Sequence, residues 1–393
     1  MIFVGVDIGK RVHTACFLDS QGHEVAKPLR VPHTRTGLRL LQLQLDQLPG
    51  PVHVVMEASG PYWLPLERRL RAAGMTVQVV NPLQTAGLRK VGIRKAKTDR
   101  KDARTVADLG RIGRARSSYV PDDRTLELRE LVRFRWHLAD RLGEAKMRIL
   151  NVLDTVFPEF ADQVGDAFGA TGRELLARCA SASAFAELDL GDLTSWIRSA
   201  SHHQLGRARA EAMQTAAKDS LGLACLGAVA QIEIDALLAQ LRLIEQQIAE
   251  VDAMLDLAVA PWAPQLLSVP GVRGALAATL VAELGDPERF DRLEQVVAFA
   301  GLDASVFESG DFHGSRQHIS KRGSPYLRRA LYLAAFKAIQ VDAELATYFH
   351  RKQAQGTPDR VAMVAVSRTL LARWYAVARS KRPYAPREAD PSH

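Results

Sequence analysis

Short apolar runs alternate with helix-period stretches through the first eighty residues. Ile2 to Val6 is a strand-like run ending at Asp7-Ile8-Gly9. His13 to Leu18 forms a second, followed by the turn residues Asp19-Ser20-Gln21-Gly22. Gly37 to Leu48 carries leucines at helical spacing. Val52 to Met56 is a buried-type strand ending at Glu57, Pro61 to Ala73 is helix-periodic, and Thr76 to Val80 is a strand stopped by Asn81-Pro82. Strands interleaved with helices predict an α/β domain over residues 1–120.

The pattern then turns helical. Pro121-Asp122-Asp123 opens a long stretch in which Leu131, Leu138, Leu142, Ala145, Ile149 and Val152 keep a heptad-like rhythm until Phe157-Pro158. Ile234, Leu237, Leu241, Ile244, Ile248, Val251 and Leu255 alternate steps of three and four, which is an a/d seam. Such helices pair within one chain or between subunits, as a coiled coil or as plain bundle helices; the pattern fits each. The helical region is expected over 121–260, with an insertion or divergent part near 161–220. A mostly α-helical C-terminal domain is expected over 261–380, with a tail at 381–393. There, Leu267-Ser-Val-Pro-Gly-Val-Arg273 followed by Ala275 to Leu284 reads as a helix-hairpin-helix or a plain helix-turn, and a helix begins near Pro325.

Chemistry concentrates in Lys95-Ala-Lys-Thr-Asp-Arg-Lys-Asp-Ala-Arg104. Thr98 is a good N-cap, and Asp99 and Asp102 lie three apart at the helix start, so they are expected to face one way. The same run also suits a solvated charged helix face. Asp7 and Glu57 end strands, where α/β sheets place their sites. Asp7, Glu57, Asp99 and Asp102 therefore form a candidate set of oxygen ligands for Mg²⁺, a hard cation often held by carboxylates and substrate phosphate. Arg94, Lys95, Lys97, Arg100 and Lys101 beside them suit a phosphate backbone.

Charge narrows the partner. The 393 residues carry a formal net charge of +8 and a pI near 9.5, favouring nucleic acid ahead of an acidic membrane surface. Cys16, Cys179 and Cys225 have neither metal-like nor disulfide-framework spacing, which predicts a reducing, cytoplasmic setting. The N-terminus enters a strand directly, so no signal peptide is expected, and no run of 18 apolar residues predicts a membrane span.

Four segments together resemble the transposases of the insertion sequence 110 family: Val4-Gly-Val-Asp-Ile-Gly-Lys10, Met56-Glu-Ala-Ser-Gly-Pro-Tyr62, Val80-Asn-Pro82 and Lys97-Thr-Asp-Arg-Lys-Asp-Ala103. The resemblance implies a RuvC-like (RNase H-fold) domain whose DEDD acids match Asp7, Glu57, Asp99 and Asp102. It extends to Phe299-Ala-Gly-Leu-Asp303 and Ile319-Ser-Lys-Arg-Gly-Ser-Pro325, and implies a C-terminal domain whose nucleophilic serine matches Ser309, before Gly310. Ser305, Ser315, Ser320 and Ser324 lie in the same block, and Lys321, Arg322 and Arg328 follow as candidate DNA contacts. It further implies Mg-dependent exchange of double-stranded DNA, at element ends and target, through a phosphoserine link. A bridge RNA would guide it, in a dimer-to-tetramer joined by coiled coils, with a composite site from two subunits. The alternatives are a hydrolytic nuclease without a covalent intermediate, an actin-like ATPase or sugar kinase, which the opening Val-Gly-Val-Asp-Ile-Gly also suits, and a non-catalytic nucleic-acid binder.

Overall fold

The computed structural model describes residues 1–89, 98–261, 263–304, 308–309, 312–313 and 318–386. They fall into two compact units, Met1–Pro121 and Asp122–His393, so the helical middle and the C-terminal stretch share one unit.

In the first unit the chain runs β1 (Ile2–Asp7), β2 (Val12–Leu18), β3 (Glu24–Pro32), α1 (Arg35–Asp46), β4 (Val52–Glu57), α2 (Trp63–Ala72), β5 (Thr76–Val80), α3 (Pro82–Arg89) and α4 (Asp99–Arg111). The sheet order is β3-β2-β1-β4-β5, with β1 antiparallel to β2, β2 to β3, and β1-β4-β5 parallel. Side chains alternate across a sheet, and both faces are covered. Val4, Val6, Ala15, Phe17, Val54, Met56, Val77 and Val79 pack with Leu41 and Leu45 of α1 and Leu66 and Leu70 of α2. On the other face, Cys16 and Leu18 meet Ala103 and Ala107, while Val55 and Val80 meet Val106 and Leu109. Helix α4 covers this second face closely because Gly5 has no side chain. A Cβ there would stand 2.1 Å from the Ala103 carbonyl oxygen and 2.2 Å from the Ala107 nitrogen.

Two elements depart from the pattern expected of the sequence. Strand β3 carries Lys27, Pro28 and Arg30 and lies at the sheet edge, where charges and proline are tolerated, so it lacks the alternation of a buried strand. Asn81-Pro82 does end β5, but it also starts α3. Asn81 Oδ1 accepts from the Leu83 amide at 2.8 Å, and proline occupies the first helical position.

The second unit contains α5 (Asp123–Val156), then α6 to α10 (Phe160–Val164, Ala170–Leu176, Ala182–Glu187, Leu190–Ala200 and Arg207–Asp219). After these come α11 (Gly227–Val259), α12 (Ala263–Leu266), α13 (Gly274–Leu284), α14 (Leu293–Phe299), β6 (Glu308–Ser309), β7 (Phe312–His313), α15 (Pro325–Val341), α16 (Ala343–Ala354) and α17 (Asp359–Ser380). The two long helices pair with each other. Ile149, Val152 and Leu153 share a core with Ile234, Leu238 and Leu241, and Arg135 grips Asp252 in a two-pronged ion pair at 3.0 and 3.1 Å. Residues 157–219, which include most of the part near 161–220 expected to be an insertion or divergent, form small helices that pack Phe157, Phe160 and Phe185 into this core. A further core, with Leu331, Leu370 and Trp374, joins α13 to α17. By length and composition alone α11 and α17 are long and apolar enough to cross a membrane, at mean hydropathy 1.4 and 1.3, although neither is an unbroken apolar run. Leu370 and Trp374 place α17 in the core.

Candidate functional site

The first unit gathers acids at one end of one sheet face. Asp7 and Glu57 each follow the register pair Val6–Met56, so they end neighbouring parallel strands at the same level. By alternation from Gly5 and Val55, both project toward α4. Asp7 is half-buried and pairs across β1–β2 with Thr14, whereas Glu57 is only 7% exposed. Asp102 enters from α4, one residue before the Ala103 carbonyl that touches Gly5, and is 6% exposed. Thr98 caps α4, its Oγ1 accepting from the Lys101 amide at 3.3 Å, as the sequence predicts. Asp99 lies on the same first turn but is exposed, so burial separates it from Asp102.

Glu57 is fixed by two hydroxyls. Ser59 Oγ donates to its Oε1 at 2.6 Å, and Thr85 Oγ1 donates to its Oε2. Thr85 is fully buried and sits one turn into α3. Sequence reasoning missed it because α3 was not recognised; the available signal was Asn81-Pro82 read as a helix start rather than a strand stop. Hard oxygen donors on one face match the chemistry of a divalent cation. Among the described residues, however, no group of three or more His, Cys, Asp or Glu side chains stands arranged to hold one.

The predicted cations divide. Arg94, Lys95 and Lys97 lie outside the described residues. Arg100 pairs with Glu24 at 2.7 Å, joined there by Arg104 at 3.1 Å, while Lys101 is exposed.

In the second unit, Ser309 lies on β6, its backbone paired with Phe312 of β7. Ser305 and Ser315 lie outside the described residues. The two sequence motifs that flank this strand pair in the chain bond to each other. Ala304 bridges Ile319, the Ser320 amide donates to the Asp303 carbonyl at 2.8 Å, and Ser320 Oγ donates to the Asp303 carboxylate. Lys321 adopts φ +53, and its amide bonds the Gly301 carbonyl at 3.1 Å. Gly323 must be glycine, since a Cβ would fall 1.8 Å from the Phe299 carbonyl oxygen. Ser324 is the N-cap of α15, accepting from the Leu327 amide at 3.2 Å. Arg328, predicted to meet DNA, directs Nη1 to the carbonyls of Ala300 at 3.2 Å and Gly323 at 2.9 Å. Burial lowers its pKa. Lys321 and Arg322 are exposed.

The chain is thus an α/β domain with acids at its strand ends, followed by a helical unit that carries Ser309 on a short strand. Comparison with known proteins supplies the family. Residues 4–158 match the model of the IS110-type DEDD transposase, and residues 263–350 match the Transposase IS116/IS110/IS902 family. A protein of insertion element IS110 from Streptomyces coelicolor is 27% identical over 96% of this chain and 94% of its own length. One of IS116 from Streptomyces clavuligerus is 25% identical over 98% and 96%. The pilin gene-inverting protein of Moraxella bovis is 21% identical over 97% of each chain. The chain belongs to the insertion sequence 110 family of transposases, and its activity is recombination of DNA. The kinase-type alternative has no support in these matches. The DEDD match suggests an RNase H-like fold for the first unit, and the mixed sheet agrees with it.

Proposed function

We propose that this transposase cuts and rejoins double-stranded DNA through a phosphoserine link. The acids of the first unit would hold Mg²⁺, and Ser309 of the second would supply the nucleophile. The observation that carries the reading is the placement of Asp7, Glu57 and Asp102 on one face at one end of the sheet. Asp99, exposed on the same helix turn, completes the set. When bound, divalent ions would offset charge on the phosphate oxygens and help align the displacement. The chain's own groups orient it: Ser59 and Thr85 hold the Glu57 carboxylate, and Gly5 lets α4 approach with Asp102. At Ser309, a new oxygen–phosphorus bond forms as the bond to the leaving deoxyribose oxygen breaks. The serine proton is released, and the leaving oxygen takes one up. One phosphoester replaces another, so rejoining needs no outside energy source. Similarity to a gene-inverting protein supports such conservative exchange.

Lys101, Lys321 and Arg322, exposed in the two units, would contact phosphates. The turn at Pro270-Gly271, where Gly271 has φ +80, leads into α13 beside Arg273 and Lys337 and is a further candidate phosphate contact. Target choice would be delegated to a bridge RNA, with which the chain's net charge of +8 is compatible. Self-association is supported by the outer face of α11, where Val229, Ile232, Leu243 and Leu257 are exposed.

The test is covalent trapping with Mg²⁺, copurified RNA and labelled element-end DNA. A denaturation-resistant adduct mapping to Ser309, lost in Ser309→Ala and in Asp7→Ala, is expected. Cleavage without an adduct would establish a hydrolytic nuclease instead.

A further inference from the structure

The turn that follows Asp7 is tied down from beneath by two histidines. The Gly9 amide donates to His13 Nδ1 at 3.3 Å, and His13 Nε2 meets His33 Nδ1 at 2.8 Å, with the rings edge to face at 81°. The His33 amide in turn donates to the Arg11 carbonyl at 2.8 Å. The turn is tight as well, since a Cβ on Gly9 would stand 2.2 Å from the Val12 carbonyl oxygen. By alternation with Ala15 and Phe17, His13 lies on the α1/α2 face, opposite the acids, and it is 1% exposed while His33 is exposed.

The donors fix the protons. A backbone amide can only donate, so His13 Nδ1 must carry a lone pair. The His13 proton then resides on Nε2 and points at His33 Nδ1, which must also be bare. His33 therefore keeps its proton on Nε2. This single arrangement satisfies every bond in the chain from Gly9 to His33, and adding a proton to either ring sets two N–H groups against each other. The surroundings favour the neutral pair. Arg35 and Arg69 line the adjoining cleft with both histidines, Lys10 and Arg11 lie on the turn, and among the described residues no carboxylate lines the cleft.

We propose that His13 and His33 form a latch that fixes the turn after Asp7 and thereby aims the Asp7 carboxylate, making both histidines positioning residues for divalent-cation binding. The proposal rests on the reading of Asp7 as a metal ligand. One hydrogen bond is typically worth about 0.5–1.5 kcal/mol, that is up to about tenfold in an equilibrium constant.

The test uses the full chain and Mn²⁺ as the probe. His13→Leu removes the acceptor while keeping the site apolar, whereas His13→Asn places an amide oxygen close to the position of Nδ1. His13→Leu, which removes one hydrogen bond, is expected to weaken Mn²⁺ binding in calorimetry and to speed Gly9 amide exchange, each by up to about tenfold. His13→Asn is expected to restore most of both. If His13→Leu fails to fold, His33→Ala, at an exposed position, removes the other half of the latch and should weaken Mn²⁺ binding in the same direction. ¹⁵N spectra of the wild type should show His13 as the Nε2–H tautomer. Asp7→Asn separates the two claims. If it binds Mn²⁺ like the wild type, the metal-ligand reading fails. If it loses binding while His13→Leu, or His33→Ala in its place, retains wild-type affinity, the latch alone is overturned.

Discussion

His13 carries a pH dependence whose sign is fixed by its surroundings. Burial, with His33 close by, lowers its pKa from 6.5 to about 4, so on acidification the unfolded chain takes up the proton first. The stabilisation is therefore complete above pH 6.5 and is lost as pH falls toward 4, by at most about 3 kcal/mol. Denaturant titrations of wild type and His13→Asn should show this slope in the first and a flatter one in the second. Arg328, an expected DNA contact, also braces the fold internally. Arg328→Gln should lower adduct yield at Ser309 at least tenfold while leaving the salt dependence of DNA binding unchanged. Loss of a phosphate contact would reduce that slope by about 0.9. These internal bonds were not legible in the sequence, because the carbonyls of Gly323 and Ala300 come within its reach only when the two motifs meet. The acids were more legible. Strand ends and a capped helix are local features, so Asp7, Glu57 and Asp102 could be placed by periodicity. The exposure of Asp99 could not, since i and i+3 share a side of a helix without sharing its depth.

Helix α4 shows how a glycine sets the geometry of an element. Gly5→Ala would drive a methyl group against the Ala103 carbonyl, and relief requires moving α4, which carries Asp102. A loss of roughly 1–3 kcal/mol is expected from overpacking, read as a lower urea midpoint. Gly143 is the contrast, lying exposed in α5 with nothing within 4 Å of its Cβ position, so Gly143→Ala should raise stability by about 0.5–1 kcal/mol. Core strands and long helices were readable because each repeats its own period. Strand β3 was not, as an edge strand bearing Lys27, Pro28 and Arg30 blurs the alternation that burial imposes. Helix α3 was hidden because proline both ends a strand and begins a helix.

At the scale of the molecule, the seam on α11 is satisfied within the chain by α5, which resolves one ambiguity of the heptad pattern. A second apolar stripe remains on the outer face, where Ile232 is 73% and Leu257 79% exposed. Ile232→Glu with Leu257→Glu should shift the protein toward monomer in light scattering while leaving its unfolding midpoint within about 0.5 kcal/mol of the wild type, as exposed positions allow. The burial of the cysteines offers a way to see how such copies align. Cys16 and Cys179 are buried, while Cys225 is exposed in the short turn Ala224–Leu226 just ahead of α11. A nitroxide attached there would mark one end of a 33-residue helix about 50 Å long. Dipolar coupling between spins would then distinguish parallel copies, on the order of 10–20 Å apart, from antiparallel ones separated by about the helix length.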